Sequence, residues 1–246
     1  PSVAGLLIAW VDLSVVYLVD ALTFAGMFVT LGFMQFKKTT SSKANVMTLN
    51  GMLEGLRFTF RTPMIASTML IDFVATFFSS ARTMLPIVAT DILGVGATGY
   101  GLLSSAQPVG AVIAGIYLAN RHELRNQGVL LLIGVTVYGL ATALFGISTL
   151  FWLSYFLFAL TGAGDTLSAV IRGTIRQLNT PDELRGRMSG ANMMFAMGGP
   201  QLGELEAGLV AAAFGTPFAI VTGGMATVFL TAYIAYKYPQ LRRYDS

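Results

Sequence analysis

Residues 99–147 read GYGLLSSAQPVGAVIAGIYLANRHELRNQGVLLLIGVTVYGLATALFGI. This stretch holds two apolar runs, 99–119 and 128–147, neither with a Lys, Arg, Asp or Glu, and between them the short charged connection Arg121-His122-Glu123-Leu124-Arg125. Each run is close to the ~20 residues a helix needs to cross a hydrocarbon core. Neither alternates with a period of two. In lipid every backbone N–H and C=O must be paired within its own segment, so helix is expected rather than strand.

Working outward, five more apolar runs of the same kind lie at 14–36, 64–92, 150–172, 189–213 and 217–238. The expectation is an all-α integral membrane protein with seven full transmembrane helices. Thr62-Pro63 and Thr216-Pro217 mark the starts of the second and seventh, since proline's missing N–H is harmless in a first turn. Residues 1–10 (PSVAGLLIAW) are apolar but too short to cross, and have neither an initiator Met nor a basic leader. They read as the end of a truncated eighth helix. Composition agrees: 54% of the 246 residues are hydrophobic and 11% charged, with mean hydropathy +0.69. Soluble domains carry roughly 25% charged residues, so a water-soluble globule is excluded.

The same counts exclude several chemistries. Cys is 0 and His is 1, which removes disulfides, a structural zinc site and Cys–His catalysis. His122 lies in a charged loop and reads as solvated, so Ser–His–Asp catalysis has no support. No phosphate-binding glycine motif follows a strand-like run. No catalytic residue, metal ligand or cofactor is assigned, and an enzyme is not expected.

The net charge of +3 and pI near 9.3 are explained by topology. Lys37, Lys38, Lys43, Arg57 and Arg61 share one loop, and Arg121 and Arg125 the next basic one. Arg172, Arg176, Arg185 and Arg187 follow, and Lys237, Arg242 and Arg243 close the chain. Every Lys and Arg except Arg82 thus falls on alternate loops or the span ends beside them, while the connections at 94–98, 147–149 and 215–216 carry none. By the positive-inside rule the basic loops and the C-terminus are cytoplasmic, and a nucleic-acid partner is not expected. The partners are the lipid bilayer and a small molecule.

The longest connection, 37–62, is also the most polar. Leu49, Met52, Leu53, Leu56 and Phe60 recur at helical spacing, as in an amphipathic helix lying on a membrane surface. One span precedes this linker and six follow it, the arrangement by which two helical bundles of a transporter are joined. The division read from this is the end of a helix at 1–10, the last helix of an N-terminal bundle at 11–36, a cytoplasmic linker at 37–62 and a C-terminal six-helix bundle at 63–246. Small-residue pairs at Ala111/Gly115, Gly199/Gly203 and Gly162/Gly164 suit close helix packing, and Pro108 and Pro200 are expected to loosen their spans.

A charge at the centre of a bilayer costs about 2.5–3.5 kcal/mol, so each one needs a reason. Asp20, Asp72, Arg82, Asp165, Glu204 and Glu206 qualify. Asp72 and Arg82, ten residues apart, are too distant to pair on one straight helix and should find partners elsewhere. Arg82 suits an anionic substrate or a structural ion pair. Asp165, Arg172 and Arg176 share a helix face and suit a charge-paired inner gate or proton coupling. Glu204 and Glu206 lie about 200° apart around one helix, so one should face a central cavity and the other should not. Either is a candidate proton carrier; the structural alternative is a pairing with a base such as Arg82.

The run Arg172-Gly-Thr-Ile-Arg-Gln-Leu-Asn-Thr-Pro-Asp-Glu-Leu-Arg-Gly-Arg187, the stretch Gly203-Glu-Leu-Glu-Ala-Gly208 and the tail Tyr238-Pro-Gln-Leu-Arg-Arg243 resemble the major facilitator superfamily. The likeness is to its branch of enterobactin-exporter-like transmembrane secretion effectors. It implies a major-facilitator-type helical bundle in which two six-helix halves rock about a central site, and export of siderophores or drug-like molecules across a bacterial inner membrane. It implies no cofactor beyond a proton gradient as energy source. Leu118-Ala-Asn-Arg-His-Glu-Leu-Arg125 resembles the superfamily's cytoplasmic gating loop, with Asn120 where an Asp is usual and Gly115 one place early. Asn120, Arg121, Arg125, Arg172, Arg176, Arg185 and Arg187 are therefore the gate candidates, and Glu204, Glu206, Asp72, Arg82 and Asp165 the substrate or proton-coupling candidates. Against a family of twelve helices the chain reads as a fragment, whose partner is the missing N-terminal half. The alternative is a non-transporting membrane scaffold or sensor on the same fold, in which these charges are structural.

Overall fold

The computed structural model describes residues 13–33, 56–78, 81–121 and 124–245. They are helical wherever they are regular. Lys37, Lys38, Lys43, His122, the terminal stretch 1–10 and the first part of the expected amphipathic helix lie outside the described residues; 56–61 are helical.

In chain order, α1 is Leu13–Phe33 and α2 is Pro63–Phe77. The short α3, Leu85–Ile87, runs on as a π-helical turn, Val88–Ile92. Then come α4 (Gly96–Ala119), α5 (Gln127–Ile147), α6 (Phe151–Leu178), α7 (Asp182–Phe214), α8 (Thr216–Lys237) and α9 (Pro239–Arg242). Four of these, α4, α5, α6 and α8, are long and apolar enough to cross a membrane. The two proline starts fall where expected: Pro63 and Pro217 occupy first turns, and α7 gives way to α8 at Gly215, whose φ of 92° a side chain would resist.

The second expected span, 64–92, is not one helix. α2 stops at Phe77, Ala81–Met84 lie in turns, and helix resumes at Leu85. Pro86 supplies the reason. It has no N–H to bond the carbonyl of Arg82, which accepts instead from the N–H of Leu85 at 3.3 Å. The π turn follows, with Leu93 N–H donating to the carbonyl of Val88 at 2.9 Å. By contrast, α4 and α7 run through Pro108 and Pro200 without interruption.

α6 is the hub, packed between α4 and α5, with α8 on the far side of α5. α2 lies against α7 and also reaches α6 and α8. Two apolar cores hold these contacts. One gathers Val88, Leu103, Phe145, Phe158 and Ile220, with the Phe145 and Phe158 rings stacked at 5.2 Å. The other gathers Ile71, Leu131, Val135, Ile171, Ile175 and Leu241. Outward, α4 presents Val112, Ile113 and Ile116, and α6 presents Trp152 and Phe156, all exposed apolar side chains as a lipid solvent allows. Every described side chain of α1 is exposed too.

Backbone contact sets the helix spacing. A Cβ on Gly110 would fall on the carbonyl of Ala159, and one on Gly162 on the carbonyl of Gln107, so α4 and α6 cross at glycine distance. Gly203 receives the carbonyl of Phe77, docking the end of α2 onto α7. The Gly199/Gly203 and Gly162/Gly164 expectations are met; Gly115 meets nothing, so the Ala111/Gly115 pair is not a packing face here.

The C-terminal tail folds back on the bundle. Leu241 is buried, Gly128 N–H donates to the carbonyl of Tyr244 at 3.0 Å, and Asn126 N–H donates to Asp245 Oδ1 at 2.7 Å.

Candidate functional site

Two groups of polar residues sit among the apolar helices, and α6 contributes to both. The first is an ion cluster. Asp72 on α2 forms an ion pair with Arg172, Nη2 to Oδ1 at 3.1 Å, and accepts a hydrogen bond from Arg176 Nη2 through Oδ2 at 2.8 Å. Arg172 also lies 3.5 Å from Asp165 Oδ1. Arg176 donates further to the Thr68 carbonyl at 3.1 Å, to Thr68 Oγ1 at 3.3 Å and to Asn192 on α7. Both guanidiniums are buried, at 4% and 6% exposure.

Helix arithmetic explains this assembly. Asp165, Arg172 and Arg176 are near whole turns apart on α6, and a long Arg side chain leans back toward the helix start, so Arg172 spans the seven residues to Asp165. Thr68 stands one turn before Asp72, which gives α2 a carboxylate and a hydroxyl on one face. The result ties α2, α6 and α7 together through charge-assisted hydrogen bonds, which are roughly twice as strong as neutral ones. Satisfaction is uneven. Arg176 uses Nε and both Nη atoms, while Arg172 Nη1 is buried with no partner among the described residues.

The second group lines a cavity of about 580 Å³ between the α3 break, α4 and α6. Arg82 enters it from the turn before α3, and Tyr100, Ser104 and Gln107 form one stripe of α4. Asp165 and Phe158 come from α6. Asp165 therefore belongs to both groups, half exposed to the cavity and paired behind to Arg172. Arg82 is exposed to the cavity and forms no ion pair among the described residues. Ser104 Oγ is buried with no hydrogen-bond partner among the described residues.

The other candidates are scattered. Glu204 is exposed and Glu206 half-buried on α7, as their angular separation requires. Neither lines the cavity, and neither pairs with Arg82 or any other described base, so the expected structural pairing does not form. Of the gate candidates, Asn120 caps α4 through Nδ2 to the Ile116 carbonyl at 2.9 Å. Arg121 donates to Tyr117 Oη at 3.1 Å and lies over its ring at 5.0 Å. Arg125 is exposed, Arg185 pairs with Asp182 at 3.0 Å on the surface, and the Arg187 side chain lies outside the described residues. The basic set expected at one face is thus split, with Arg172 and Arg176 drawn inside the bundle.

Thr68, Ser104 and Asn192 were not singled out by sequence. A signal existed for two of them: Thr68 is one turn from Asp72, and Asn192 is an amide in an otherwise apolar run.

A family model described as transmembrane secretion effector matches residues 1–246. The enterobactin exporter EntS of Escherichia coli O81 (strain ED1a) is 29% identical over 142 residues, covering 58% of this chain and 34% of its own. The EntS proteins of Escherichia coli O139:H28 (strain E24377A / ETEC) and Shigella boydii serotype 18 (strain CDC 3083-94 / BS512) match at the same identity and coverage. The matched region spans about a third of the length of these curated relatives.

Proposed function

Because this chain belongs to the transmembrane secretion effector family of the major facilitator superfamily, we propose that it serves proton-coupled export of a small amphipathic molecule, such as a siderophore or a drug, by alternating access. Family membership makes it an integral membrane transporter of the secretion type rather than an enzyme. In this reading the basic loops face the cytoplasm of a bacterium and the protein sits in the inner membrane. Residues 63–246 are one moving bundle, α1 is the last helix of a second, and that second bundle completes the path.

One observation carries the reading: a cavity of about 580 Å³ with Arg82 and Asp165 on mixed aromatic and polar walls. Its size is that of pockets that hold drug-sized ligands. A static scaffold has no use for a cation beside a cavity with no ion-pair partner among the described residues, whereas a carrier uses such a group to hold its cargo until the bundles rock. Glu204 and Glu206 lie away from this cavity, so in an exporter they act as proton carriers rather than as cargo ligands.

The test uses inside-out vesicles from cells expressing the complete reading frame, with a fluorescent amphiphile panel and a pH-gradient dye. Export predicts uptake of at least one probe and discharge of an imposed gradient when that probe is added. Glu204→Gln should abolish the gradient-driven uptake while leaving protein level unchanged. Undiminished uptake in that variant removes Glu204 from the mechanism. Binding of probes without uptake or proton movement favours the sensor reading.

A further inference from the structure

The cavity's polar groups are unequal in a way that names the charge of its cargo. Its acid, Asp165, is already engaged: Arg172 lies 3.5 Å from its carboxylate on the side away from the cavity. Its base, Arg82, has no ion-pair partner among the described residues. The stripe on α4 adds hydrogen-bond donors. Tyr100 and Gln107 line the same cavity, and between them Ser104 Oγ is buried without a partner among the described residues. A guanidinium offers five N–H groups and no acceptor. With the adjoining ion cluster counted, Arg82, Arg172 and Arg176 stand against Asp72 and Asp165, so this region carries one more positive charge than negative.

We propose that Arg82 is the specificity-determining residue of this cavity and that the exported molecule carries an anionic group with two or more oxygens, such as a carboxylate or sulfonate, which Arg82 grips. The inference rests on the exporter reading and narrows it to a substrate class. A planar guanidinium binds two oxygens of one anion in parallel, which a lysine does not. Ser104 and Gln107 then orient the rest of the polar head, while Phe158 and Leu85 receive the apolar part. A cation is disfavoured because the carboxylate it would seek is shared with Arg172.

Two xanthene dyes of similar size and opposite charge separate the possibilities: carboxyfluorescein, an anion, and rhodamine 123, a cation. Binding is read by fluorescence anisotropy on the purified full-length protein, and flux by vesicle uptake. We expect carboxyfluorescein to bind at least tenfold more tightly than rhodamine 123. Arg82→Gln should weaken the anion at least tenfold and leave the cation within twofold. Arg82→Lys, which keeps the charge but loses the fork, should recover only part of the loss. Thermal unfolding of each variant shows that the fold is kept.

Tighter binding of rhodamine 123, failure of the wild type to bind carboxyfluorescein, or an anion preference unchanged in Arg82→Gln would each overturn the assignment. The last is the result expected if Arg82 serves as an ion-pair partner for an acid elsewhere in the transporter. Anion binding that depends on Arg82 without flux of either dye sinks the exporter reading and leaves the assignment standing, so the two failures are distinguishable.

Discussion

Arg172 and Arg82 are the same side chain placed among apolar helices, and the bundle treats them in opposite ways. Arg172 is 4% exposed and lies between two carboxylates, Asp72 and Asp165. Arg82 stands in a turn, open to a cavity, with no ion pair among the described residues. The difference lies in the backbone that carries them. A residue on a continuous helix has neighbours fixed at each turn, so Asp165 stands beside Arg172 by register on α6, and Asp72 meets it across the contact from α2. A residue in a break has no such register, and its side chain points into whatever space the break opens. The charges of α6 are spent on cohesion; the charge in the break is kept for something that arrives.

The largest effect is expected from removing Asp72. Asp72→Asn leaves Arg172 with one half-exposed partner and Arg176 with neutral ones. Stranding a buried charge costs about 3–5 kcal/mol. We expect a large fall in thermal stability in detergent and little protein recovered from the membrane. The double variant Asp72→Asn with Arg172→Gln should recover part of the loss, since it removes a charge along with its counter-charge. Arg82→Gln, measured beside it, should unfold at the wild-type temperature. Equal destabilisation by Asp72→Asn and Arg82→Gln would erase the distinction between the two groups.

The physical basis of that distinction also sets what the sequence can reveal. The crossing helices were legible because hydrocarbon length and charge-free runs are one-dimensional facts, as 99–119 and 128–147 show against α4 and α5. The shared face of Asp165, Arg172 and Arg176 was legible too, because helical register is arithmetic. The break at Arg82 was missed although Pro86 announces it, because the apolar run continues across 78–92 and hydropathy is blind to a lost N–H. Asn192 could not be identified as a partner of Arg176, since that meeting depends on how α7 docks on α2. The docking turns on Gly203 receiving the carbonyl of Phe77, a contact between residues far apart in the chain. Glu204 and Glu206 were the most conspicuous acids in the sequence, yet the structure puts neither in the cavity.

Asp165→Asn sharpens the comparison at the point where the two groups touch. Its carboxylate is 48% exposed, so the stability it contributes is discounted by screening to about 1 kcal/mol. Arg172 keeps Asp72, and the cluster should hold with only a small fall in melting temperature. The larger effect belongs to the cavity. With the carboxylate neutral, Arg172 is no longer balanced on that side and the wall becomes more positive. Carboxyfluorescein should bind a few-fold more tightly to this variant at low salt, and the gain should shrink as salt is raised. Weaker anion binding would mean that Asp165 helps to hold the cargo instead of balancing Arg172.

The smallest effect is expected where an ion pair has neither burial nor a cavity. Arg185 and Asp182 sit one turn apart at the start of α7, 3.0 Å from each other, with side chains 57% and 84% exposed. Exposed pairs of this kind are worth about 0.2–1 kcal/mol, because water screens the attraction and two mobile side chains must be held still. The acid lies at a helix N-terminus, which favours it, whereas the base beside it meets the same dipole unfavourably. Arg185→Ala should therefore leave thermal unfolding almost where it was. Its transport rate decides whether the surface pair is more than a decoration of α7: an unchanged rate leaves gating to the buried arginines. A loss of transport at unchanged stability would return Arg185 to the gate and show that an exposed charge at the basic end does work that burial does not measure.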